Sequence, residues 1–533
     1  MLEILQNNDK CWICDNTSSK KCSACKQINY CSIEHQKSDW KRHKKNCKPC
    51  MVKNDRKKGR CLVTTRDIAP NEIIFDEEPL VLGPRNVSPD PVCLGCHMPV
   101  SPISSPKCEK CGWPICGTKC AGLETTHRAE CDILSAGRNN VENNYMYELI
   151  LPLRCILLKK NDPEKWNILI NMESHLNKRT PGTEAFKEIE IIHKYLEDNF
   201  MANTTENEKI SQDDFHKVCG VIEVNSLDVP FDVAELSALY PTFSLLEHDC
   251  SPNIKISFNK QNVIVRSATS IKSDQNLSTM YTNTIWGTQM RQRHLFNTKY
   301  FICECQRCKD PTELGTNFSS LKCLQDNCNS YLLPEDPLNL ETTWKCNKCN
   351  SALSTFDVED ILSRIGYEVE KILEEINPNV QSVEMVLEKI LSVLHPHHYY
   401  CFSIKHSLIQ LYGNQVQYAA LDHKILTRKI EYCKELLSTL SKLDSTGSRA
   451  PLYVAILNNE LSSAILETMK RRLSETLDLS AIQDDAKEAK KLITKAILLL
   501  NEEPNSRINL QLIQSCKNVF KEIEETLKGE HIS

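Results

Sequence analysis

Apolar residues in the last third of the chain recur every three or four positions, which is the spacing of one face of an α-helix. The first stripe consists of Val358, Ile361, Leu362, Ile365, Val369, Ile372 and Leu373. Further helices are predicted at residues 380–394, 399–418, 421–441, 450–471, 482–501 and 505–528. No strict 34-residue repeat runs through them. The pattern therefore predicts antiparallel helix pairs whose apolar stripes pack into a core.

Helical spacing also marks residues 141–200, where apolar side chains recur with the same period. Pro152 and Pro163 punctuate this region, so it is expected to form several helices rather than one. A further helix is predicted at residues 213–228.

Shorter runs rich in β-branched residues predict strands. One run ends at Ile68 and the next begins at Glu72, and the turn-forming Ala69-Pro70-Asn71 between them predicts a β-hairpin. The basic stretch Lys53–Arg60 that precedes them is expected to be a linker. Strands are also expected at residues 254–258 and 263–266. With 533 residues the chain is long for one domain, so a multidomain protein of the α+β class is predicted.

Composition adds an unusual cysteine content of 28 residues, many of them spaced Cys-x-x-Cys. In a chain with no recognisable secretion signal this spacing indicates metal binding rather than disulfides, and hence a reducing compartment. The net charge of −5 provides no global basic field for nucleic acid. No run approaches the ~18 apolar residues of a membrane span.

Eight metal-ligating residues lie in the first fifty positions. They are Cys11, Cys14, Cys22, Cys25, Cys31, His35, His43 and Cys47. Since zinc takes four ligands in structural sites, this set predicts two zinc ions. So short a segment cannot bury a sufficient core, so zinc binding is expected to supply much of its folding free energy.

A second set of eight ligands predicts two more zinc ions. They are Cys93, Cys96, Cys108, Cys111, Cys116, Cys120, His127 and Cys131. Cys323, Cys328, Cys346 and Cys349 form another group of four, which is typical of a small zinc ribbon.

The remaining group joins two distant segments. Cys303, Cys305 and Cys308 lack a fourth ligand, and Cys250, about fifty residues earlier, has no Cys-x-x-Cys partner. Pairing Cys250 with this trio closes one four-cysteine site and brings the total to six zinc ions. The segment between them, which contains Tyr281, must then loop out and return to the same point. A plain structural zinc clamp is the alternative interpretation.

The first finger resembles a MYND finger in the sequence Tyr30-Cys31-Ser32, followed by His35-Gln36, Trp40, His43 and Cys47. The resemblance implies interleaved ligands. One ion would take Cys11, Cys14, Cys31 and His35, and the other Cys22, Cys25, His43 and Cys47. It also implies that Gln36 and Trp40 bind proline-rich peptides. Alternatively, Trp40 only covers the small core of the finger.

The central stretch resembles the Asn-His-Ser-Cys-x-Pro-Asn motif of SET-domain methyltransferases. His248, Cys250, Pro252 and Asn253 match it, whereas Glu247 replaces Asn and Asp249 replaces Ser. The family order continues with Tyr281 and the cysteine-rich tail. The finger inserted after the opening strands is typical of the SET-and-MYND subfamily. Met172-Glu173-Ser174-His175 is similar to an element of arthropod members of this subfamily. We interpret His175 in this chain as a surface or packed residue.

The resemblance implies roles for individual residues in binding S-adenosylmethionine and methylating a protein lysine. The implied catalytic residue is Tyr281, and the substrate channel would contain Ser226 and Leu227. The implied cofactor-binding residues are Gly59, Arg60, Asn225, Glu247, His248, Tyr281 and Phe301. Three departures from the family pattern are Cys61 in place of a glycine, Glu247, and Asp274-Gln275-Asn276 in place of Gly-Glu-Glu.

The resemblance covers nearly the whole chain, and the expected domains follow from it. They are an N-terminal MYND finger at 1–50, the first part of a SET domain at 51–92, an inserted MYND-like finger at 93–131, the SET helical insert and core at 132–302, the post-SET segment and zinc ribbon at 303–355, and a tetratricopeptide-like helical domain at 356–533.

The expected function is a protein-lysine methyltransferase that uses S-adenosylmethionine, acts on a histone or non-histone protein and regulates gene expression. A monomer in nucleus and cytoplasm is expected, with proline-rich peptide partners and no membrane association. The main alternative is a zinc-binding adaptor or corepressor that has lost catalysis. Direct DNA binding is a third class, which rests only on local basic runs.

Overall fold

The computed structural model describes residues 10–18, 20–22, 28–47, 49–56, 59–84, 91–101, 103–138, 146–201, 210–231, 234–414, 420–476, 478–502 and 507–528. The chain divides into two compact units. The first comprises Met1–Leu246, Ile256–Asn276 and Pro504–Arg507, and the second comprises Glu247–Lys255, Leu277–Glu503 and Ile508–Ser533.

The helices of the first unit begin at recognisable sequence signals. Pro163 occupies the first turn of one helix and the Asp162 side chain caps it, while Thr183 and Ser211 cap two others. The helices are α1 (Ile33–Cys47), α2 (Gly122–Thr125), α3 (Arg128–Ala136), α4 (Ile150–Asn161), α5 (Pro163–Ile170), α6 (Glu184–Phe200) and α7 (Gln212–Asn225).

The strands of the first unit form three small sheets. They are β1 (Cys50–Asp55), β2 (Gly59–Thr64), β3 (Ile73–Glu77), β4 (Val81–Pro84), β5 (Ser226–Phe231), β6 (Ala234–Leu239), β8 (Ile254–Asn259) and β9 (Asn262–Ser267). Their orders are β1-β2, β3-β9-β8 and β4-β6-β5. The apolar core of this unit lies among α4–α7, with Leu149, Leu153, Leu169, Phe215 and Val218 fully buried.

Three predictions for this unit differ from the structure. The run that ends at Ile68 does not form a hairpin with the run that follows Pro70, because β2 pairs with β1 and β3 pairs with β9. Ile68 instead bridges Ile271. The expected basic linker is largely the β1–β2 hairpin, whose first strand buries no face and so shows no alternating pattern. The helix predicted at 213–228 ends at Asn225, and Ser226 begins β5.

The second unit contains two small sheets. β7 (Glu247–His248) pairs in parallel with β10 (Ser278–Thr279). The zinc-ribbon region is an antiparallel sheet of β11 (Leu321–Lys322), β12 (Tyr331–Pro334), β13 (Trp344–Cys346) and β14 (Ala352–Leu353), in that order. Two helices, α8 (Thr288–Lys299) and α9 (Gln306–Lys309), lie between these sheets in sequence.

Seven further helices complete the second unit, within about five residues of the predicted bounds over the described positions. They are α10 (Thr355–Leu373), α11 (Val380–Leu391), α12 (Tyr399–Asn414), α13 (His423–Leu443), α14 (Pro451–Thr476), α15 (Gln483–Glu502) and α16 (Arg507–Leu527). A capping box of Ser354 and Asp357 starts α10. Their apolar stripes meet in cores that contain Val358, Phe402, Leu440, Leu461 and Ile493. Among the helices described, none is long and apolar enough to cross a membrane.

Candidate functional site

Among the residues that the structure describes, at least five groups of four Cys or His ligands lie close enough to bind zinc. In each group, the potential ligand atoms all lie within 4.8 Å of one another. Thiolates about 2.3 Å from a tetrahedral zinc ion are about 3.8 Å apart, and the Sγ–Sγ distances of Cys250–Cys308 and Cys108–Cys131 are 3.5 and 3.7 Å. The groups are Cys11, Cys14, Cys31 and His35; Cys93, Cys96, Cys116 and Cys120; Cys108, Cys111, His127 and Cys131; Cys250, Cys303, Cys305 and Cys308; and Cys323, Cys328, Cys346 and Cys349.

The sixth predicted group includes Cys25, which lies outside the described residues. The Sγ atoms of Cys22 and Cys47 are 3.5 Å apart, and His43 is buried. Gln36 Nε2 donates to Cys22 Sγ at 3.7 Å. Trp40 is 41 % exposed, and its ring centroid lies 6.0 Å from that of His43. The two residues predicted to bind peptide therefore also contact the metal-ligand set.

One buried carboxylate connects the inserted finger to the helical core of the first unit. Glu130 Oε1 lies 3.2 Å from His127 Nδ1, while His127 Nε2 lies 3.3 Å from Cys111 Sγ. Both oxygens of Glu130 accept from Arg154 on α4, at 2.6 and 2.7 Å. Arg154 also donates to the carbonyls of Leu82 and Leu94. A carboxylate behind a zinc-binding histidine fixes the tautomer and orientation of the ring.

The central stretch and the segment before Tyr281 run side by side. Glu247 pairs with Ser278 and His248 with Thr279 in the parallel β7–β10 ladder. Asn253 Oδ1 accepts from the backbone N–H of Ser278 at 2.9 Å. The polar residues of the motif therefore hold two segments together that are about thirty residues apart in sequence.

His248 links Tyr281 to the four-cysteine group. Its Nδ1 accepts from the backbone N–H of Tyr281 at 3.0 Å, and its Nε2 lies 3.4 Å from Cys250 Sγ. Because a backbone N–H can only donate, Nδ1 is unprotonated, and a neutral ring carries its proton on Nε2, where it can donate to a zinc-bound thiolate. The rings of Tyr281 and Phe301 lie 5.2 and 5.9 Å from the His248 ring, measured between centroids.

The hydroxyl of Tyr281 stays protonated at neutral pH. Burial, and then the carboxylate of Glu247, raise the pKa of Tyr281 well above its ordinary value. A protonated phenol can donate one hydrogen bond and accept others. The group is therefore suited to orienting a polar reactant rather than to removing its proton.

Two residues of helix α8 contact the cysteines Cys303 and Cys308. Gln292, which is fully buried, donates to the carbonyl of Cys303 at 2.7 Å and accepts from the backbone N–H of the same residue at 2.8 Å. Arg291 Nη2 lies 3.5 Å from Cys308 Sγ. The structure thus places both residues against predicted metal ligands.

Two further charges were missed by sequence reasoning. Glu313 Oε2 accepts from Arg291 at 2.8 Å and from Arg307 at 3.0 Å, and all three side chains are buried. Burial opposes ionisation of Glu313, but the two guanidiniums outweigh it and lower its pKa from 4.5 to about 2. The sequence signal is Arg307, which lies between Cys305 and Cys308, since a charge buried next to such ligands needs a counter-charge.

The predicted cofactor residues near the start of the chain lie in the first unit. Gly59 has φ of +79° at the start of β2, a backbone geometry that favours glycine. Arg60 donates to the carbonyl of Asn171 at 2.6 Å. Cys61, which replaces the family glycine, is buried, and its Sγ lies 3.5 Å from the carbonyl of Lys53 across the hairpin.

Asn225 and its neighbours also lie in the first unit. The Asn225 amide donates to the carbonyls of Glu173 and Val221 at 2.7 and 2.8 Å. Ser226 and Leu227 are the first two residues of β5 and directly follow Asn225, the last residue of α7. His175, with φ of 47°, has its Nδ1 3.6 Å from the Glu173 carboxylate. The interpretation of His175 as a surface or packed residue stays a prediction.

Purified protein that has never met a chelator is expected to contain six zinc ions per chain, because the sequence predicts six groups of four ligands. Elemental analysis against a measured protein concentration tests this number. Three or fewer ions would contradict the ligand groups.

The comparisons with known proteins fit this arrangement of fingers and motifs. The sequence profile of the MYND finger family matches residues 11–47. The chain is 28 % identical over 307 residues to the SET domain-containing protein SmydA-8, isoform A, of Drosophila melanogaster, covering 55 % of this chain and 63 % of that protein. It is 23 % identical over 414 residues to the histone-lysine N-methyltransferase ASHR1 of Arabidopsis thaliana, covering 74 % and 82 %.

Human and structural relatives complete the comparison. The histone-lysine N-methyltransferase SMYD3 of Homo sapiens is 25 % identical over 272 residues, or 48 % of this chain and 60 % of that protein. The chain thus spans less than two thirds of the length of SmydA-8 and of SMYD3. A solved SET domain of LSMT bound to lysine and AdoHcy aligns with 93 % of this chain and 91 % of that one, at 10 % identity and a TM-score of 0.31.

Proposed function

We propose that the chain is a SET- and MYND-domain (SMYD) protein of the SmydA-like type, and that it methylates the side-chain amine of a protein lysine with S-adenosylmethionine as methyl donor. One observation carries this proposal. The backbone N–H of Tyr281 donates to His248 Nδ1, and His248 Nε2 faces Cys250 Sγ, so a half-buried, protonated phenol is held next to the ring of His248, which also lies near the ring of Phe301.

The donor set of the second unit fits such a cofactor. Phe301 and His248 offer flat ring faces for a purine, and Glu247 is proposed as a further cofactor contact. Bound there, S-adenosylmethionine would supply an activated methyl group. The roles that the sequence resemblance implies for Gly59, Arg60, Asn225, Ser226 and Leu227 stay predictions.

The protein itself is proposed to contribute mainly position. The Tyr281 hydroxyl orients the reacting groups by a hydrogen bond, and His248 keeps the Tyr281 backbone fixed. Burial of the substrate amine in the site excludes water and favours the neutral, nucleophilic form of the amine. Correct alignment of two reactants alone accounts for a large part of many enzymatic rate enhancements.

The direct test is transfer of labelled methyl groups from S-adenosylmethionine to a cell extract and to a histone mixture. The wild-type chain is expected to label protein lysines. Tyr281→Phe, which keeps the ring and its packing, is expected to lower the rate about 10²-fold, the usual cost of one positioned donor. Tyr367→Phe, a change at an exposed tyrosine, is the matched control. No labelling, together with no cofactor binding in calorimetry, would favour the adaptor or corepressor function instead.

Glu247→Asn is expected to tighten binding of S-adenosylmethionine by at least about tenfold. The amide offers both a donor and an acceptor to the mixed charges of the cofactor, whereas a carboxylate offers acceptors only. Losing one hydrogen bond to a charged group costs about 1.5–3 kcal/mol. Calorimetric titration of both forms measures the difference. Equal or weaker binding by the asparagine form would mean that Glu247 is an adapted cofactor contact.

The N-terminal finger is proposed to bind proline-rich peptides through Gln36 and Trp40. Trp40→Ala is expected to abolish peptide binding and to leave the zinc content unchanged, since Trp40 is partly exposed. Trp12→Ala, at a tryptophan 50 % exposed in the same finger, is the matched control and is expected to retain binding. Loss of zinc from the Trp40 variant would assign this residue to the core of the finger.

The same proposal places the protein in the nucleus and cytoplasm as a monomeric regulator of gene expression. A fluorescent fusion in cells and light scattering of the purified chain test the location and the oligomeric state. Substrate identification by mass spectrometry of labelled proteins decides between a histone and a non-histone target.

A further inference from the structure

The segment that carries Tyr281 belongs to the same compact unit as the C-terminal helices. This unit joins Glu247–Lys255 and the chain from Leu277 onward, whereas the intervening strands belong to the first unit. The central motif, Tyr281 and helices α10–α15 therefore belong to one compact unit. Three contacts within this unit join residues 280–287 to residues that follow them in sequence.

The first contact is a hydrogen bond from the loop between α13 and α14. Arg449 Nη2 donates to the carbonyl of Met280 at 3.1 Å. The loop is shaped by Asp444, a buried residue whose carboxylate accepts from the backbone N–H groups of Ser448, Arg449 and Ala450 at 3.1, 2.9 and 2.9 Å. The turn that carries Arg449 is therefore fixed by backbone hydrogen bonds at three successive residues.

The other two contacts follow Tyr281 in sequence. Ile285 packs against the apolar core that contains Tyr399 and Phe402 of α12. Gly287 lies so close to the same region that a Cβ there would be 2.5 Å from Ser319 Oγ and 2.7 Å from Tyr399 Cε1. The segment from Met280 to Gly287 is thus held at both ends by residues that follow the SET region in sequence.

The carbonyl of Met280 and the N–H of Tyr281 belong to one peptide group. Arg449 binds its oxygen, and His248 Nδ1 accepts from its nitrogen at 3.0 Å. Because a peptide group is planar and rigid, hydrogen bonds on both sides fix its rotation about the chain. The direction in which the Tyr281 side chain leaves the backbone is then fixed as well.

We propose that Arg449 is a positioning residue for Tyr281, so that the C-terminal helical domain is part of the catalytic unit. The consequence for catalysis rests on the proposed methyltransferase function, whereas the hold on the Met280–Tyr281 peptide group does not. Arg449 reaches no reacting atom. It acts through the backbone, and the guanidinium is suited to this because it places several donors in one plane.

Hydrogen exchange of the full chain tests directly whether Arg449 fixes the Met280–Tyr281 peptide group, because the Tyr281 amide donates the hydrogen bond to His248. In Arg449→Ala, exchange of peptides that cover residues 278–287 is expected to accelerate at least about tenfold, with six zinc ions retained. In Arg449→Lys, which keeps the charge and a donor, the acceleration is expected to be smaller. Arg472→Ala, which breaks a 2.6 Å contact to Asp485 in the same helical domain, is the matched control and is expected to leave this exchange unchanged.

Kinetics separate positioning from folding. For Arg449→Ala, kcat is expected to fall at least about tenfold while the Kd for S-adenosylmethionine changes less than threefold, and the lysine variant is expected to recover part of the rate. Exchange at residues 278–287 equal to that of wild type would overturn the proposal even if the wild-type chain methylates protein. Faster exchange in a chain without methyltransferase activity would support the positioning role and reject the proposed function alone.

Discussion

A chain in which Cys250 is replaced by serine is expected to bind one zinc ion fewer than the wild-type chain. A zinc site that loses one of its four ligands binds far more weakly. The loss also removes the sulfur that His248 Nε2 faces at 3.4 Å, so the ring that holds the Tyr281 backbone loses its anchor. Elemental analysis and hydrogen exchange at residues 278–308 measure the two effects, and exchange is expected to accelerate on both sides of the site.

Cys401→Ser provides the matched control for this experiment. Cys401 is fully buried, like Cys250, and lies on α12 away from the cysteine trio in sequence. The change is therefore expected to cost packing energy and no metal. Equal zinc content in the two variants would show that Cys250 does not complete the site with Cys303, Cys305 and Cys308.

Glu313→Gln is expected to destabilise the second unit by about 3–5 kcal/mol, the usual cost of breaking a buried ion pair from one side. The substitution leaves Arg291 and Arg307, both fully buried, without their shared carboxylate. Denaturant unfolding of the full chain, with the transition assigned by hydrogen exchange at α8, measures the effect. Unfolding of a chain with two units need not be a single transition, so this assignment is required.

The stability that Glu313 contributes also depends on pH in a defined direction. Its pKa is lowered from 4.5 to about 2 in the folded chain, so its contribution is complete above about pH 4.5 and is lost as the pH falls toward 2. A shift of this size corresponds to about 3 kcal/mol at 1.36 kcal/mol per pKa unit. The glutamine variant is expected to lack this component of the acid dependence.

Glu368→Gln is the matched control for the buried carboxylate. Glu368 contacts Lys389 at 2.5 Å, but 40 % of the Glu368 side chain and 67 % of the Lys389 side chain remain exposed. Such surface pairs contribute about 0–1 kcal/mol. A loss in Glu313→Gln no greater than in this control would mean that Arg291 and Arg307 find other partners.

Features with a period or a fixed spacing could be predicted from the sequence. The stripe that begins at Val358 predicted α10, and the later helices followed from the same period. The ligand spacings predicted the fingers, and the lack of a fourth ligand near Cys308 pointed to Cys250. These predictions succeed because helix faces and zinc sites are set by residues a few positions apart.

Features that depend on distant partners could not be predicted in the same way. The strand β1 shows no buried face, so its pairing with β2 left no alternating pattern to detect. The role of Glu313 depends on two arginines that are 22 and 6 positions away, and that of Arg449 on a carbonyl 169 positions away. A backbone carbonyl has no sequence signature, since every residue supplies one.

The carboxylate of Glu130 makes the supply of metal a condition for folding of the first unit. Without zinc at Cys108, Cys111, His127 and Cys131, the ring of His127 is no longer fixed by a metal ion. Glu130, which contacts His127 and accepts both hydrogen bonds from Arg154, is then less well positioned. A charge buried in α4 would then face an unfolded finger. Cells grown on scarce zinc are therefore expected to yield aggregated or degraded protein rather than a soluble chain that lacks one finger.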